Sequence, residues 1–192
     1  MPDVAAIVNW VETVFLPYQE LGLFFLAFIE SSFFPVPPDV LLIPLALNRP
    51  RAALELALVT SIGSVLGGGL GYWLGKKGGR PFLRHFAGKT RIERVAELFR
   101  CYSVWAVGIA GFTPIPYKIF TIAAGAFLMN FRQFIFVSLL SRSARFFLEA
   151  VLIMHYGEPI VEFLTTRFEA LTLGIVIIVL AVAYLVRQRS KS

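Results

Sequence analysis

Long apolar stretches separated by short polar segments run along most of the chain. A helix needs about 20 residues to cross the hydrocarbon core of a bilayer, and each stretch is close to or above that length. The pattern therefore predicts an all-α integral membrane protein in which residues 1–192 form one membrane domain. The apolar stretches cover residues 21–47, 52–75, 102–129, 134–155 and 168–186.

The first residues show a different pattern. Within residues 1–18, Asn9, Glu12 and Thr13 share one side of a helix, and apolar side chains such as Trp10 cover much of the rest. A segment with such a polar side lies in the membrane interface rather than across the bilayer. We therefore expect an interfacial amphipathic helix here.

Proline clusters interrupt two of the apolar stretches. Proline removes a helical N–H donor and its ring clashes with the preceding turn, so a straight helix does not continue through such a cluster. Broken backbone at membrane depth is tolerated only where protein buries it or a wet cavity borders it. We therefore predict re-entrant hairpins over 21–47 and 102–129. The predicted breaks are at Pro35, Pro37, Pro38, Pro114 and Pro116.

The two interruptions match each other at a constant offset of 79 residues. Corresponding Pro-interrupted segments in two halves of a chain are typical of transporters built from inverted repeats, whose binding site lies at the breaks. Chance is the alternative, because the similarity fades outside these residues. The matched pairs are Phe33 with Phe112, Pro35 with Pro114, Pro37 with Pro116, and Asp39 with Lys118.

Composition strengthens the membrane prediction. Apolar residues make up 57% of the chain and charged residues only 16%, whereas about 25% is usual in a soluble domain. The composition therefore argues against a soluble enzyme, and no nucleophile, phosphate-loop or zinc motif indicates a membrane enzyme. One cysteine and two histidines are too few for a metal cluster. We expect no enzyme activity, no cofactor and no metal.

The basic residues predict the topology. Residues 76–100 carry eight cations and two acids, which equals the net charge of the whole chain, +6. Because the segment lies between two apolar stretches, the positive-inside rule explains it better than nucleic-acid binding does. With 76–100 in the cytoplasm, 52–75, 134–155 and 168–186 span the membrane. The basic C-terminal tail is then cytoplasmic as well. This topology places Arg49 and Arg51 on the outer side of the membrane, where the positive-inside rule does not expect arginines. The orientation of the N-terminal segment therefore stays open.

Six ionisable side chains lie inside the apolar stretches. A charge at mid-membrane costs roughly 2.5–3.5 kcal/mol, so six unpaired charges would cost about 18 kcal/mol, more than the stability of a typical fold. We therefore expect them to be paired, hydrated or near the interface. The prediction is a polar cavity where the hairpin tips meet, in which an acid exchanges a proton and the cations receive an anionic headgroup. The six are Glu30, Asp39, Lys118, Arg142, Arg145 and Glu149.

Local explanations compete for some of these charges. Arg145 and Glu149 are four residues apart on one helix, where they would neutralise each other. Asp39 follows Pro37-Pro38 and would cap the next helix, a role compatible with a place in the cavity. Glu30 and Lys118 have no such local partner.

Glycines recur at every fourth residue in the stretch 52–75. This spacing places them on one side of a helix, where small residues let a second helix approach closely, as in G-x-x-x-G packing. We predict a packing role for the stripe, which consists of Gly63, Gly67, Gly71 and Gly75.

Three motifs carry a resemblance to a known family. They are Phe28–Asp39, which reads FIESSFFPVPPD, Phe112–Gly125, which reads FTPIPYKIFTIAAG, and Ser141–Phe147, which reads SRSARFF. Together they resemble the DedA family, also called the SNARE-associated or VTT-domain family, and within it the YqaA-like branch. The resemblance covers roughly residues 20–155.

The resemblance implies a multi-pass protein of the bacterial inner membrane with two opposed re-entrant hairpins. It implies lipid translocation by flipping or scrambling, with undecaprenyl phosphate or phosphatidylethanolamine as substrates in some members and proton coupling proposed. The family's acidic residues carry over onto Glu30 and Asp39. An arginine that usually follows the glycine of the second hairpin is absent after Gly111, and Lys118, Arg142 and Arg145 are the nearest substitutes.

Our prediction is a lipid transporter for an anionic or zwitterionic phospholipid or a polyprenyl phosphate, with protons and a second copy of the chain as further partners. A small-ion or proton-coupled exporter is the first alternative. A structural protein that organises other membrane proteins is the second.

Overall fold

The computed structural model describes residue 10 and residues 13–79, 102–113 and 115–162. The predicted spanning helix 168–186 lies outside the described residues. So do Pro114, most of the basic segment 76–100 and most of the N-terminal segment 1–18.

The described residues form helices and contain no strand, which confirms the all-α prediction for this part of the chain. Short 3₁₀ turns at Leu16–Tyr18 and Pro50–Ala52 precede two of the helices, and a π-helical turn at Gly75–Gly79 follows one. The helices are α1 (Gln19–Ser32), α2 (Asp39–Asn48), α3 (Ala53–Leu74), α4 (Tyr102–Phe112), α5 (Tyr117–Ala126), α6 (Phe131–Tyr156) and the short α7 (Glu158–Glu162).

Helices end and begin at both predicted breaks. At the first, the N–H groups of Phe33 and Phe34 both donate to the carbonyl oxygen of Ile29 at 2.9 Å, and the chain restarts as a helix at Asp39. At the second, α4 ends just before Thr113 and α5 begins at Tyr117. The prediction that no helix runs through these segments is confirmed. Their entry into the membrane as opposed re-entrant hairpins, related by an inverted repeat, stays a prediction.

Helix lengths distinguish broken segments from possible spans. At 1.5 Å per residue, α1 with 14 residues reaches about 21 Å and α2 with 10 residues about 15 Å, short of a hydrocarbon core of about 30 Å. Two described stretches are long and apolar enough to cross a membrane, Thr13–Ser32 and Pro50–Gly78. The first of these bends at Gln19, whose φ of 49° lies in the left-handed region.

Helix α6 has 26 residues and reaches about 39 Å, which is enough to span. The side chain of Asn130 caps it by accepting hydrogen bonds from the N–H groups of Arg132 and Gln133. It contains the predicted span 134–155, but its buried Arg142 and Glu149 make it less apolar than α3. Its crossing of the membrane stays a prediction.

Helix α3 lies at the centre of the fold, and its glycine stripe lies against two other helices. A Cβ at Gly67 would overlap the carbonyl oxygen of Phe28 in α1, and a Cβ at Gly63 would come within 2.5 Å of that of Phe24. Further along, a Cβ at Gly75 would overlap the carbonyl oxygen of Ile122 in α5. Helices α1 and α5 therefore both lie within backbone contact of α3, and this brings the two breaks together.

Apolar side chains both fill the interior and cover the outside. One buried cluster joins α1, α2, α3 and α6 through residues such as Leu26, Leu42 and Phe146, and a second joins α3, α4, α5 and α6 around Tyr117 and Phe134. The outer side of α3 exposes large apolar side chains at regular helical spacing, a surface suited to lipid rather than water. These are Leu54, Leu58, Ile62 and Leu66.

Candidate functional site

A cavity of about 210 Å³ lies between the two breaks. Pro35, Pro37 and Pro38 border it from the first break, and Ile115 and Pro116 border it from the second. Charged side chains from four helices reach it, together with the ring of Tyr117. Five of the six ionisable residues that the sequence places inside the apolar stretches line it: Glu30, Asp39, Lys118, Arg142 and Arg145.

Arg142 forms the most buried interaction of the site. Its side chain is 3% exposed, and one terminal guanidinium nitrogen lies 3.1 Å from Oε2 of Glu30. Its Nε donates to Oγ of Ser64 at 2.5 Å, and Ser31 hydrogen-bonds to both Ser64 and Glu30. A buried guanidinium needs both a counter-charge and acceptors for its remaining N–H groups. The network supplies them and ties α1, α3 and α6 together.

Aromatic rings cover the same guanidinium. Its central carbon lies 5.0 Å from the ring centre of Tyr117 and 4.6 Å from that of Phe146. Cation–π contacts of this length stabilise a desolvated cation, and Arg is suited to them because its group is planar and weakly hydrated. Arg142 is therefore fixed from two sides, which favours a positioning role.

Arg145 pairs across the cavity. One terminal nitrogen lies 2.5 Å from Oδ2 of Asp39, and the other donates to the carbonyl oxygen of Thr113 at 3.4 Å. The local alternative, in which Arg145 neutralises Glu149, is therefore wrong as the main pairing. The capping alternative for Asp39 is also not what the structure shows: the residue begins α2, but its Oδ2 binds Arg145 and its Oδ1 has no hydrogen-bond partner. Arg145 instead connects the start of α2 to the end of α4.

Lys118 connects the two breaks directly. Its Nζ donates to the carbonyl oxygen of Phe34 at 2.8 Å. Phe34 follows the C-terminal end of α1, where free carbonyls attract cations. Lys118 forms no ion pair within the described residues. It is therefore the cation of the cavity whose charge no carboxylate offsets.

The cavity has an excess of positive charge. Glu30 offsets Arg142 and Asp39 offsets Arg145, which leaves the charge of Lys118. An anion that displaced the Phe34 carbonyl from Lys118 would gain a charge-assisted hydrogen bond without breaking either buried pair. The arrangement is thus suited to receive a singly charged group of small size.

Sequence reasoning missed several neutral partners. Ser31, Ser64 and Tyr117 hold or cover Arg142, but a serine or tyrosine in an apolar stretch does not by itself indicate such a role. The only available signal was that Ser64 lies three residues before Gly67 and therefore near the side of the helix that the glycine stripe occupies. Within the described ranges, no three His, Cys, Asp or Glu side chains come together in a way that would hold a metal ion.

Comparison with known proteins adds a family match. The model of the VTT domain matches residues 36–155, more than half of the chain. The matched region begins at the first break and ends within α6, so it contains most of the cavity-lining residues. This confirms the family predicted from the motifs.

Relatives of similar length also match. The chain is 36% identical over 167 residues to an uncharacterised protein of Haemophilus influenzae, covering 85% of this chain and 87% of the relative. It is 38% identical over 172 residues to an uncharacterised protein of Histophilus somni, covering 88% and 90%. An archaeal relative from Methanocaldococcus jannaschii is 28% identical over 131 residues, covering 67% and 79%. No solved structure matches.

Proposed function

Because the chain belongs to the VTT-domain or DedA family of membrane proteins, we propose that it moves lipids across the bacterial inner membrane as a flippase or scramblase. In this proposal the headgroup of an anionic or zwitterionic phospholipid, or of a polyprenyl phosphate, passes through the cavity between the two breaks. The acyl or prenyl tails stay in the surrounding bilayer. The C-terminus lies in the cytoplasm.

The observation that carries the proposal is the cavity itself. It is polar and bears excess positive charge, yet it lies among helices whose outer surfaces are apolar. At about 210 Å³ it is smaller than the 300–1,000 Å³ typical of pockets that enclose a whole ligand. A site of this size suits a phosphate-bearing headgroup and leaves no room for tails.

The broken helices explain how a headgroup would reach the cavity. Proline-rich segments leave backbone groups without helical partners, and such segments persist at membrane depth only beside protein or water. The first break exposes Pro35 and Pro37 to the cavity, and the second exposes Pro116. We therefore expect a wet path that opens between the breaks when Lys118 releases the Phe34 carbonyl.

Reconstituted liposomes with fluorescent lipid in both leaflets test the function. We expect the intact protein to make lipid in both leaflets accessible to a membrane-impermeant quencher. Alanine variants should lose this activity while remaining folded and inserted: Glu30→Ala, Asp39→Ala, Lys118→Ala and Arg142→Ala.

The matched control is Glu55→Ala, which removes an exposed acidic residue at the start of α3. It should retain full activity. Full exchange of headgroups by all four cavity variants would refute the proposal, as would a lack of lipid movement by the intact protein in liposomes of the native lipid mixture.

A small-ion or proton-coupled exporter is the second candidate. Two features favour this function: the cavity is small, and its two ion pairs are complete. Each feature would also suit a site for a single hydrated ion. It predicts that a pH gradient across the liposome decays without any movement of labelled lipid. The same liposomes distinguish the two functions when they also contain a pH-sensitive dye.

A further inference from the structure

Glu149 is a buried acid that the pairing scheme of the cavity does not use. Its side chain is 7% exposed, and it lies two turns after Arg142 and one turn after Arg145 on the same side of α6. Since Arg145 is bound to Oδ2 of Asp39, Glu149 forms no ion pair within the described residues. An ionised carboxylate buried without a partner is costly, so its charge needs an explanation.

Asp39 supplies that explanation. Glu149 lies one turn after Arg145, the residue that binds Oδ2 of Asp39, and the second oxygen of Asp39, Oδ1, is buried without a hydrogen-bond donor. Two carboxylates side by side cannot both remain ionised cheaply, and such pairs share one proton. A protonated Glu149 would donate to Oδ1 of Asp39, which would satisfy the free acceptor and remove the repulsion in one step.

No other described group takes the place of Glu149 as a hydrogen-bond donor to Oδ1 of Asp39. Arg145 and Arg142 lie one and two turns before Glu149 on α6, and both are held by other carboxylates. Helix α3, which packs along α6, brings Ser64 to the site, and its acid Glu55 is exposed at the start of the helix. Arg51, in the turn before α3, is also exposed.

We propose that Glu149 carries a proton and donates a hydrogen bond with it to Oδ1 of Asp39. The presence or absence of this proton sets the net charge of the cavity. When Glu149 is protonated, the cavity and its wall have a net charge of +1, which is the charge of Lys118. When Glu149 loses the proton, its own charge cancels that of Lys118. An anionic group therefore binds together with one proton and leaves when that proton leaves. The coupling of this proton to lipid movement rests on the proposed function, whereas the shared proton itself does not.

Infrared spectroscopy of the protein in lipid nanodiscs tests the shared proton without any transport assay. We expect a protonated-carboxyl band at neutral pH that Glu149→Gln removes. Asp39→Asn should remove it too, because Glu149 would then ionise against the freed Arg145. The control Glu55→Gln should leave the band unchanged. A band that survives Glu149→Gln, or no band in the intact protein, would overturn the proposal.

Liposomes then test the coupling. Lipid movement by the intact protein should fall by up to about tenfold per pH unit on the alkaline side, the limit for loss of one proton, whereas Glu149→Gln should show a flat pH profile. A pH-dependent Glu149→Gln variant, or a pH-independent intact protein, contradicts the inference. If the intact protein moves no lipid at any pH, the proposed function fails and the infrared result alone decides the role of Glu149.

Discussion

Replacing Gly67 by alanine tests the packing that brings the two breaks together. A Cβ at Gly67 would overlap the Phe28 carbonyl, which is backbone and cannot rotate away. Gly69 lies two residues further along the same helix, where a Cβ would meet only Cδ1 of Ile135 at 4.0 Å. Both substitutions gain the same helix propensity, about 1 kcal/mol, so this gain cancels in the comparison.

The difference between the two variants is therefore the cost of overpacking, about 1–3 kcal/mol. We expect Gly67→Ala to be less stable than Gly69→Ala by this amount in reversible unfolding by SDS in mixed micelles. It should also weaken the contact of 2.7 Å between Ser31 and Ser64, and with it the support of Arg142. A Gly67→Ala variant as stable as Gly69→Ala would show that α1 does not lie against α3 as described.

Three further substitutions test other parts of the structure by the same unfolding measurement. Arg142→Met leaves Glu30 buried without its partner and should lower the free energy of unfolding by about 3–5 kcal/mol. The double variant that adds Glu30→Leu should recover most of this loss. A double variant that recovers none of it would argue against the ion pair. Asn130→Ala removes the cap of α6 and should cost about 1 kcal/mol; no change would contradict the cap. Tyr72→Phe removes the hydrogen bond of 2.6 Å to the Met129 carbonyl and should cost about 1–3 kcal/mol, and an unchanged stability would exclude that bond.

The helix breaks could be predicted from the sequence because their cause is local. Proline prevents helix continuation whatever surrounds it, so Pro35 and Pro37 were sufficient to place the first break. The glycine spacing predicted a close approach for the same reason, since the lack of a side chain is a property of the residue itself. The sequence did not indicate that Gly67 would meet α1 and Gly75 would meet α5.

The pairing of charges could not be predicted in this way. Arg142 and Glu30 are 112 residues apart, and Arg145 and Asp39 are 106 residues apart, so only the packing of α6 against α1 and α2 decides which acid each arginine meets. Local spacing favoured Arg145 with Glu149 and gave the wrong partner. The sequence consequently offered Glu149 only as a partner of Arg145, whereas in the structure Arg145 binds Asp39 and leaves Glu149, one turn further along α6, without an ion pair among the described residues.

Photo-crosslinking with two lipid probes tests the central claim most directly. One phospholipid carries the reactive group on its headgroup and the other carries it at the end of an acyl chain, and mass spectrometry locates the labelled residues. We predict headgroup labelling around Ile115 and Lys118 in the cavity, and acyl-chain labelling on the exposed side of α3 around Leu58 and Leu66. Headgroup labelling confined to the ends of the helices, with none in the cavity, would contradict the account.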